Sequence, residues 1–414
     1  MRASVAGKTE NCTKCNFCKF MLNCSQQRCI GCGQCVSACP NEARVMLPIR
    51  RNERIRLVVD GKRVEVPKQI TILKALELVG YTVSNHPKQD GDILAPCQMG
   101  GCGACAVLVN GKLKPSCTTE AEEGMDIRTE PAEIILKEPI RLANHFDAYQ
   151  GGIIGAAPIR TSGVTEYAFF AQGCNLRCPA CHNWDITFSS IGKYCTPRQA
   201  AEIMERGRVR SGVSKISLTG GEITLNRPWL MQFLREFKTL CSLPEVTIQL
   251  DSNASFLSPD YIDQLFEAGI TDISPDVKGL YLDTYMRFTG GHDRELAELN
   301  VKTSWQAVEY LLQEYMQKMF IVLAIPYHAA FIGMEEIQEI ARRIFALNPD
   351  VCISLIDYQP AFRRRDLPAT STKGMEEVHQ ILLDSGLRRV LWQTGDRLGL
   401  ALDPDDLFLE LNTF

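Results

Sequence analysis

No stretch of this 414-residue chain approaches the roughly 20 apolar residues that a membrane helix requires. Met1 to Glu10 carries no apolar h-region, so nothing there directs the chain to an oxidising compartment, and a cytoplasmic location is expected. Charge of one sign is not in excess: 45 Lys and Arg against 49 Asp and Glu leave -4, too little to draw the whole protein to nucleic acid or to a membrane. Histidine is scarce at six residues, and His292 and His328 stand alone, each expected as a satisfied surface or core side chain. The basic runs Arg206 to Arg210 and Arg363 to Arg365 are short and read as solvated helix ends or loops, with Arg363 to Asp366 also a candidate lining of a substrate side. With 45% apolar and 23% charged residues, the composition is that of an ordinary globular protein, and the length suggests roughly two to four domains.

The abundance lies in cysteine, 18 residues in all. Without an oxidising compartment, clustered cysteines at such short spacings read as metal ligands rather than disulfides. Their thiolates would make the protein oxygen-sensitive, which suits an anaerobic host. Eight fall between Cys12 and Cys39, four between Cys97 and Cys117 and three between Cys174 and Cys181, leaving Cys195, Cys241 and Cys352 as structural residues.

The first group reads Cys12-x2-Cys15-x2-Cys18, then Cys24, then Cys29-x2-Cys32-x2-Cys35-x3-Cys39-Pro40. Its second run resembles the bacterial two-cluster ferredoxins, in which the fourth cysteine of each run serves the other cluster. The resemblance assigns Cys12, Cys15, Cys18 and Cys39 to one 4Fe-4S cluster, and Cys29, Cys32, Cys35 and Cys24 to another. Cys24 departs from the pattern, standing five residues beyond Cys18 with no proline after it. Zinc is the alternative occupant, but it favours paired C-x2-C over three evenly spaced cysteines.

In the second group, Cys97-x4-Cys102-x2-Cys105 is followed, after a strand and the turn Asn110-Gly111, by Cys117, which is the plant-type 2Fe-2S spacing. Upstream, Val58 to Val66 alternates around Asp60-Gly61 and predicts a hairpin, and a helix is expected from Thr71 to Val79. The region resembles a β-grasp ferredoxin domain of the kind in xanthine-dehydrogenase and NADH-dehydrogenase-like proteins. Gly100, Gly101 and Gly103 suit a loop that wraps closely and aims amides at sulfur. Gly101 to Ala106 formally fits G-x-G-x-x-A, but a strand is expected after it and no helix, so no dinucleotide site is assigned.

From about Thr161, after a linker containing Gly151-Gly152 and Pro158, six apolar strand candidates alternate with helical stretches: 167–171, 215–219, 246–251, 272–277, 320–326 and 352–358. A seventh is expected at 389–393. Helix starts are marked at Thr196-Pro197 and Ser258-Pro259. This alternation predicts an α/β fold, a partial (β/α)6 barrel with a parallel sheet. The expected division is 1–50 for the two-cluster ferredoxin-like segment, 53–130 for the β-grasp domain, 131–160 for a linker, 161–400 for the barrel and 401–414 for a tail.

Cys174-x3-Cys178-x2-Cys181 follows the first barrel strand, Gly220-Gly221-Glu222 the second, Asp251-Ser252-Asn253 the third and Asp276-Val277-Lys278 the fourth. A three-cysteine set leaves one iron of a cubane open for a ligand. The tripod and Gly-Gly-Glu resemble the radical S-adenosylmethionine (SAM) superfamily. Cys181-His182-Asn183 and Asp276-Val277-Lys278 resemble its glycyl-radical-activase branch, typified by pyruvate formate-lyase activating enzyme. The resemblance covers about residues 160 to 395. It implies that Cys174, Cys178 and Cys181 hold a 4Fe-4S cluster to which SAM binds, and that reductive cleavage gives a 5′-deoxyadenosyl radical that abstracts hydrogen from a substrate. It implies further that Gly220, Gly221 and Glu222 meet the SAM amino group, and that Asp251, Ser252, Asp276 and Lys278 surround its carboxylate, with a monovalent cation where like charges gather. Helix capping or loop bonding is the other reading of Asp251 and Asp276. His182 and Asn183 are expected to brace the loop or end it, and His182 is not expected as a ligand.

Two positions depart from the family. Ala180 stands where an aromatic residue usually packs on the SAM adenine, leaving Trp184 as a candidate wall, and Ile223 replaces the usual proline after Gly-Gly-Glu. Three 4Fe-4S clusters, one of them SAM-bound, and one 2Fe-2S cluster would give the chain its own electron relay, fed by a low-potential donor. A glycyl radical enzyme is the partner that the activase resemblance implies. The alternatives are a small-molecule or other peptide substrate, or an electron-transfer subunit whose barrel is a docking scaffold.

Overall fold

A computed structural model describes residues 2–22, 24, 28–129, 140–148, 166–241 and 243–393. Gly151-Gly152, Pro158 and the tail 401–414 lie outside them. The main sheet runs in the order Lys193–Cys195, Ile140–Ala148, Glu166–Ala171, Lys215–Gly220, Thr247–Ser252, Asp272–Pro275, Phe320–Tyr327, Cys352–Asp357 and Arg389–Gln393. From Glu166–Ala171 onward every pairing is parallel, and helices Pro197–Ser211, Arg227–Leu240, Pro259–Ala268, Arg294–Glu314, Met334–Leu347 and Thr372–Asp384 fill the connections. This is a partial (β/α)6 barrel extended by a seventh parallel strand.

Strands buried on both faces read as continuous apolar runs, and Phe320–Tyr327 is buried from Ile321 to its end. Thr196 caps its helix through a capping box with Gln199, as Thr-Pro predicts. At the other marked start the Ser258 hydroxyl turns to Asp260 instead, 2.6 Å away.

Two strands of the main sheet were not legible. Ile140–Ala148, inside the expected linker, pairs antiparallel with the first barrel strand (Asp147 opposite Tyr167), and Lys193–Cys195 then pairs with it. Its sequence holds Asn144 and Asp147, residue types depleted in strands, so local propensity does not announce it. The free edge of the barrel provides the ladder.

The second sheet runs Lys62–Pro67, Arg54–Val59, Asp126–Arg128, Ala106–Val109, Lys112–Pro115, with helix Ile72–Leu78 packed on it through Ile72, Ala75 and Leu76. Thr71 is the N-cap, accepting from Lys74. The turn residues Asp60 and Gly61 both have positive φ, 45° and 78°, as a tight hairpin of this twist requires. In the N-terminal segment, Arg2–Lys8 pairs antiparallel with Arg44–Arg50 around the short helices Phe17–Phe20 and Gln34–Ser37.

The three cysteine regions do not hang apart. One apolar cluster gathers Leu22, Cys35 and Ala38 from the first, Cys97, Met99 and Cys102 from the second, and Phe188, Leu225, Phe256 and Phe362 from the barrel. This shared core brings all three regions to the barrel mouth.

Candidate functional site

The tripod loop leaves the first barrel strand at its C-terminal end and is tied to the end of the second. Gly221 donates to the Ala171 carbonyl at 2.8 Å, and Glu222 to the Gly173 carbonyl at 2.9 Å. A Cβ on Gly221 would lie 2.2 Å from the Gly173 oxygen, and one on Gly220, where φ is 116°, would lie 2.5 Å from Ala171 main-chain atoms. Here the two glycines therefore admit the neighbouring strand and loop. Asn183 Nδ2 adds a bond to the Gly220 carbonyl at 3.4 Å.

Glu222 is buried, and its carboxylate is engaged by protein donors. It accepts from the Thr224 amide (3.1 Å) and hydroxyl (2.6 Å), the Ser252 hydroxyl (2.9 Å) and the Asn253 amide (2.6 Å). Burial raises its pKa, and these donors oppose the rise. Asn253 passes the network on: its Nδ2 reaches Asn175 Oδ1 at 3.0 Å and lies 3.6 Å from Cys174 Sγ, while Ser255 Oγ bridges to Asn175 Nδ2 at 2.8 Å. The Gly-Gly-Glu strand end, the third strand end and the cysteine loop thus form one hydrogen-bonded unit.

Lys278 Nζ pairs with Asp276 at 2.6 Å, both partly buried. Burial pulls the Lys278 pKa down, but Asp276, Cys178 and Cys174 outweigh it and hold the ammonium charged. Asp251 accepts from Gln249 Nε2 at 2.8 Å; burial pushes its carboxyl up to about 6, and Asp276 adds to the rise. His182 stacks on Tyr358, with centroids 5.5 Å apart, and contacts the Gln359 carbonyl at 3.3 Å. Tyr358 follows the sixth strand, and its buried hydroxyl has no well-formed hydrogen bond among the described residues. No motif marks it in the sequence; only its place at a strand's C-terminal end does.

Trp184 does not remain free as an adenine wall. Its ring packs on Phe362 at 5.1 Å and on Phe17 at 4.9 Å, fastening the N-terminal segment to the barrel. Arg363, a candidate lining of a substrate side, is engaged by the N-terminal segment: its guanidinium bonds the carbonyls of Val36 (2.9 Å), Ser37 (2.9 Å) and Cys39 (3.1 Å), capping the helix Gln34–Ser37. Arg208, in the other basic run, is buried and paired with Glu205 at 2.7 Å. His328 is a satisfied core residue, bonded to the Pro368 carbonyl at 2.8 Å and accepting from Ala330 at 3.1 Å. His292 is exposed, and Cys195, Cys241 and Cys352 are buried.

The donor sets suit iron-sulfur clusters. Cys12, Cys15, Cys18, Cys24, Cys35 and Cys39 line one cavity of about 540 Å³, and Arg44 reaches Cys18 Sγ at 2.9 Å. Cys24 lies against Cys35, which lowers its pKa to about 6, and Cys24 and Cys29 both act on Cys32. Around the 2Fe-2S-type loop, Gln98, Gly100 and Gly103 have positive φ. The Cys97 thiol is pulled down by Cys102 and, against burial, by the amides of Cys102, Met99 and Gly101. Amides aimed at sulfur are what cluster loops supply. In the tripod, burial raises all three thiols, so their ionisation calls for a bound cation.

Residues 169–344 match the Radical SAM superfamily. The barrel is a radical SAM domain. Ahead of it, residues 52–132 match a 2Fe-2S iron-sulfur cluster binding domain and residues 25–45 a 4Fe-4S binding domain. The chain is 37% identical over 83 residues to a component of the NADH-quinone oxidoreductase of Mycobacterium tuberculosis, covering 19% of this chain and 9% of that one. It is 23% identical over 187 residues to GTP 3′,8-cyclase of Pelotomaculum thermopropionicum, covering 45% and 53%. Among solved structures it is similar to a domain of pyruvate-formate lyase-activating enzyme from Bacteroides vulgatus, with 14% identity, a TM-score of 0.33 and coverage of 43% and 98%. The chain spans no more than about half the length of these curated relatives. No helix among the described residues is long and apolar enough to cross a membrane.

Proposed function

We propose that this chain is a radical SAM enzyme that cleaves SAM reductively for hydrogen abstraction and relays electrons to the site through its own N-terminal clusters. The observation that carries this reading is the cysteine tripod at the C-terminal end of the first barrel strand, cross-tied to Gly220-Gly221-Glu222 and faced by Asp276 and Lys278. A 4Fe-4S cluster held by Cys174, Cys178 and Cys181 supplies an open iron for SAM and the low-potential electron. The chain's residues order the loop, bury Cys174 and half-bury Cys178 and Cys181, and keep the Lys278 ammonium beside the anionic side of the site. Two further 4Fe-4S clusters, on Cys12, Cys15, Cys18, Cys39 and on Cys24, Cys29, Cys32, Cys35, and a 2Fe-2S cluster on Cys97, Cys102, Cys105, Cys117 complete the proposed set, with an external low-potential donor feeding it. A monovalent cation beside Asp251 and Asp276 belongs to the same proposal.

For the substrate we favour a backbone glycine of a partner glycyl radical enzyme, supported by Cys181-His182-Asn183 and Asp276-Val277-Lys278. A small-molecule substrate is the second reading, favoured by the similarity to GTP 3′,8-cyclase. The test is 5′-deoxyadenosine release by anaerobically reconstituted protein given SAM and dithionite, beside Cys178→Ala. Release that requires Cys178 supports radical chemistry; no release with SAM bound and all clusters reduced makes the barrel an electron-transfer scaffold. A glycyl radical on a co-purified partner then separates the two substrate readings.

A further inference from the structure

We propose that Arg177 couples the 2Fe-2S loop to the cysteine tripod, holding the two sets of sulfur ligands against each other and raising the reduction potential of both centres with one shared cation. This rests on the reading of both loops as cluster sites, and it assigns the 2Fe-2S centre as the tripod's neighbour in the relay.

Arg177 lies inside the tripod, between Cys174 and Cys178. Its Nη1 donates to the carbonyls of Cys174 (2.6 Å) and Leu176 (2.8 Å), and its Nη2 crosses to the carbonyl of Cys97 (2.6 Å). The guanidinium also lies over the Phe188 ring, 5.5 Å from its centroid. Among the described residues no carboxylate pairs with it, and its hydrogen bonds go to neutral carbonyls. These three carbonyls satisfy N–H donors of the half-buried guanidinium but leave its charge uncompensated by any carboxylate. The charged groups that act on it include the sulfurs of Cys174, Cys97, Cys178 and Cys102, two from each loop, and the Arg363 guanidinium. Arg363 also touches the tripod loop, through its amide on the Pro179 carbonyl at 2.9 Å, but its guanidinium is spent on the helix cap and has Glu42 within 3.9 Å.

The main chains meet at the same place. A Cβ on Gly173, next to Cys174, would lie 3.0 Å from Cys97 Sγ, and one on Gly101 would lie 2.4 Å from the Gln172 carbonyl oxygen. Asn226 Nδ2 adds a bond to the Cys102 carbonyl at 3.0 Å. Each centre gains a negative charge on reduction, so a fixed cation between them favours both reduced forms.

The experiment is a potentiometric titration of reconstituted full-length protein followed by electron paramagnetic resonance, with Arg177→Met and Arg177→Lys. In Arg177→Met the 2Fe-2S and tripod signals should both shift to lower potential while the two N-terminal 4Fe-4S signals hold theirs, and Arg177→Lys should restore most of the shift. Should Arg177→Met fail to retain iron, the wild type still decides: the reduced 2Fe-2S signal should relax faster once the tripod centre is reduced, and Cys178→Ala should abolish that enhancement. Unchanged potentials in iron-replete Arg177→Met, or no relaxation enhancement in the wild type, overturns the proposal. Addition of SAM to the wild type tests the wider reading separately, since a tripod signal indifferent to SAM sinks that reading whatever Arg177 does.

Discussion

The Glu222 carboxylate accepts the main-chain N–H of Asn253 at 2.6 Å, joining the end of the second barrel strand to that of the third. Because four protein donors converge on the carboxylate, Glu222→Gln would turn an N–H₂ toward an N–H or O–H. A buried donor left unmatched costs about 1–3 kcal/mol. We expect a loss of that size in chemical denaturation and weaker SAM binding by equilibrium dialysis; unchanged values for both would mean that the network does not order the site.

Gly207 sits mid-helix against Tyr167, whose ring would be 1.9 Å from an added Cβ. Alanine gains about 1 kcal/mol of helix propensity over glycine, but overpacking a filled core costs roughly 1–3 kcal/mol. Gly207→Ala should therefore lower stability, whereas Val209→Ala on the exposed face of the same helix should stay within about 0.5 kcal/mol. Equilibrium unfolding of the two variants compares them directly.

Arg363 holds the helix Gln34–Ser37 through three carbonyls. Arg363→Ala is expected to lower the local opening free energy of residues 34–39 by about 2–3 kcal/mol and to leave the barrel strands protected. Hydrogen exchange resolved by peptide reads both regions at once. Uniform loss of protection would show that the segment and barrel open together.

Asp251 has its carboxyl pushed up to about 6 by burial and by Asp276. Its unfolded value is about 3.9, so the folded state holds this proton longer. The contribution is therefore most favourable below about pH 4, declines as pH rises to about 6, and is then a constant cost on the order of 3 kcal/mol relative to low pH. Asp251→Asn should flatten that decline and stabilise the apoprotein at pH 7 to 8. Thermal unfolding from pH 4 to 8 checks it, and a parallel curve for the variant would remove Asp251 as the cause.

The barrel strands were legible because runs such as Phe320–Tyr327 must be apolar to be buried on both faces. The hairpin at Asp60-Gly61 and the helix after Thr71 were legible because turn and cap chemistry is local. Ile140–Ala148 was not, since its partner lies across the sheet and its own residues carry no strand signal. The site divided in the same way. The spacing of Cys174, Cys178 and Cys181 pointed to their chemistry, but whether Trp184 is a free wall or a packed one depends on Phe17, over 160 positions earlier in the chain.

By itself, then, the sequence determined the ligand types, their spacing and the alternation that builds the sheet, because each depends on neighbours a few residues away. Only the tertiary structure decided which loops meet. Arg177 finds Cys97 from 80 residues away, and Arg363 finds Val36 from 327. Such contacts follow from how the buried faces of three regions pack into one core, which no local pattern encodes.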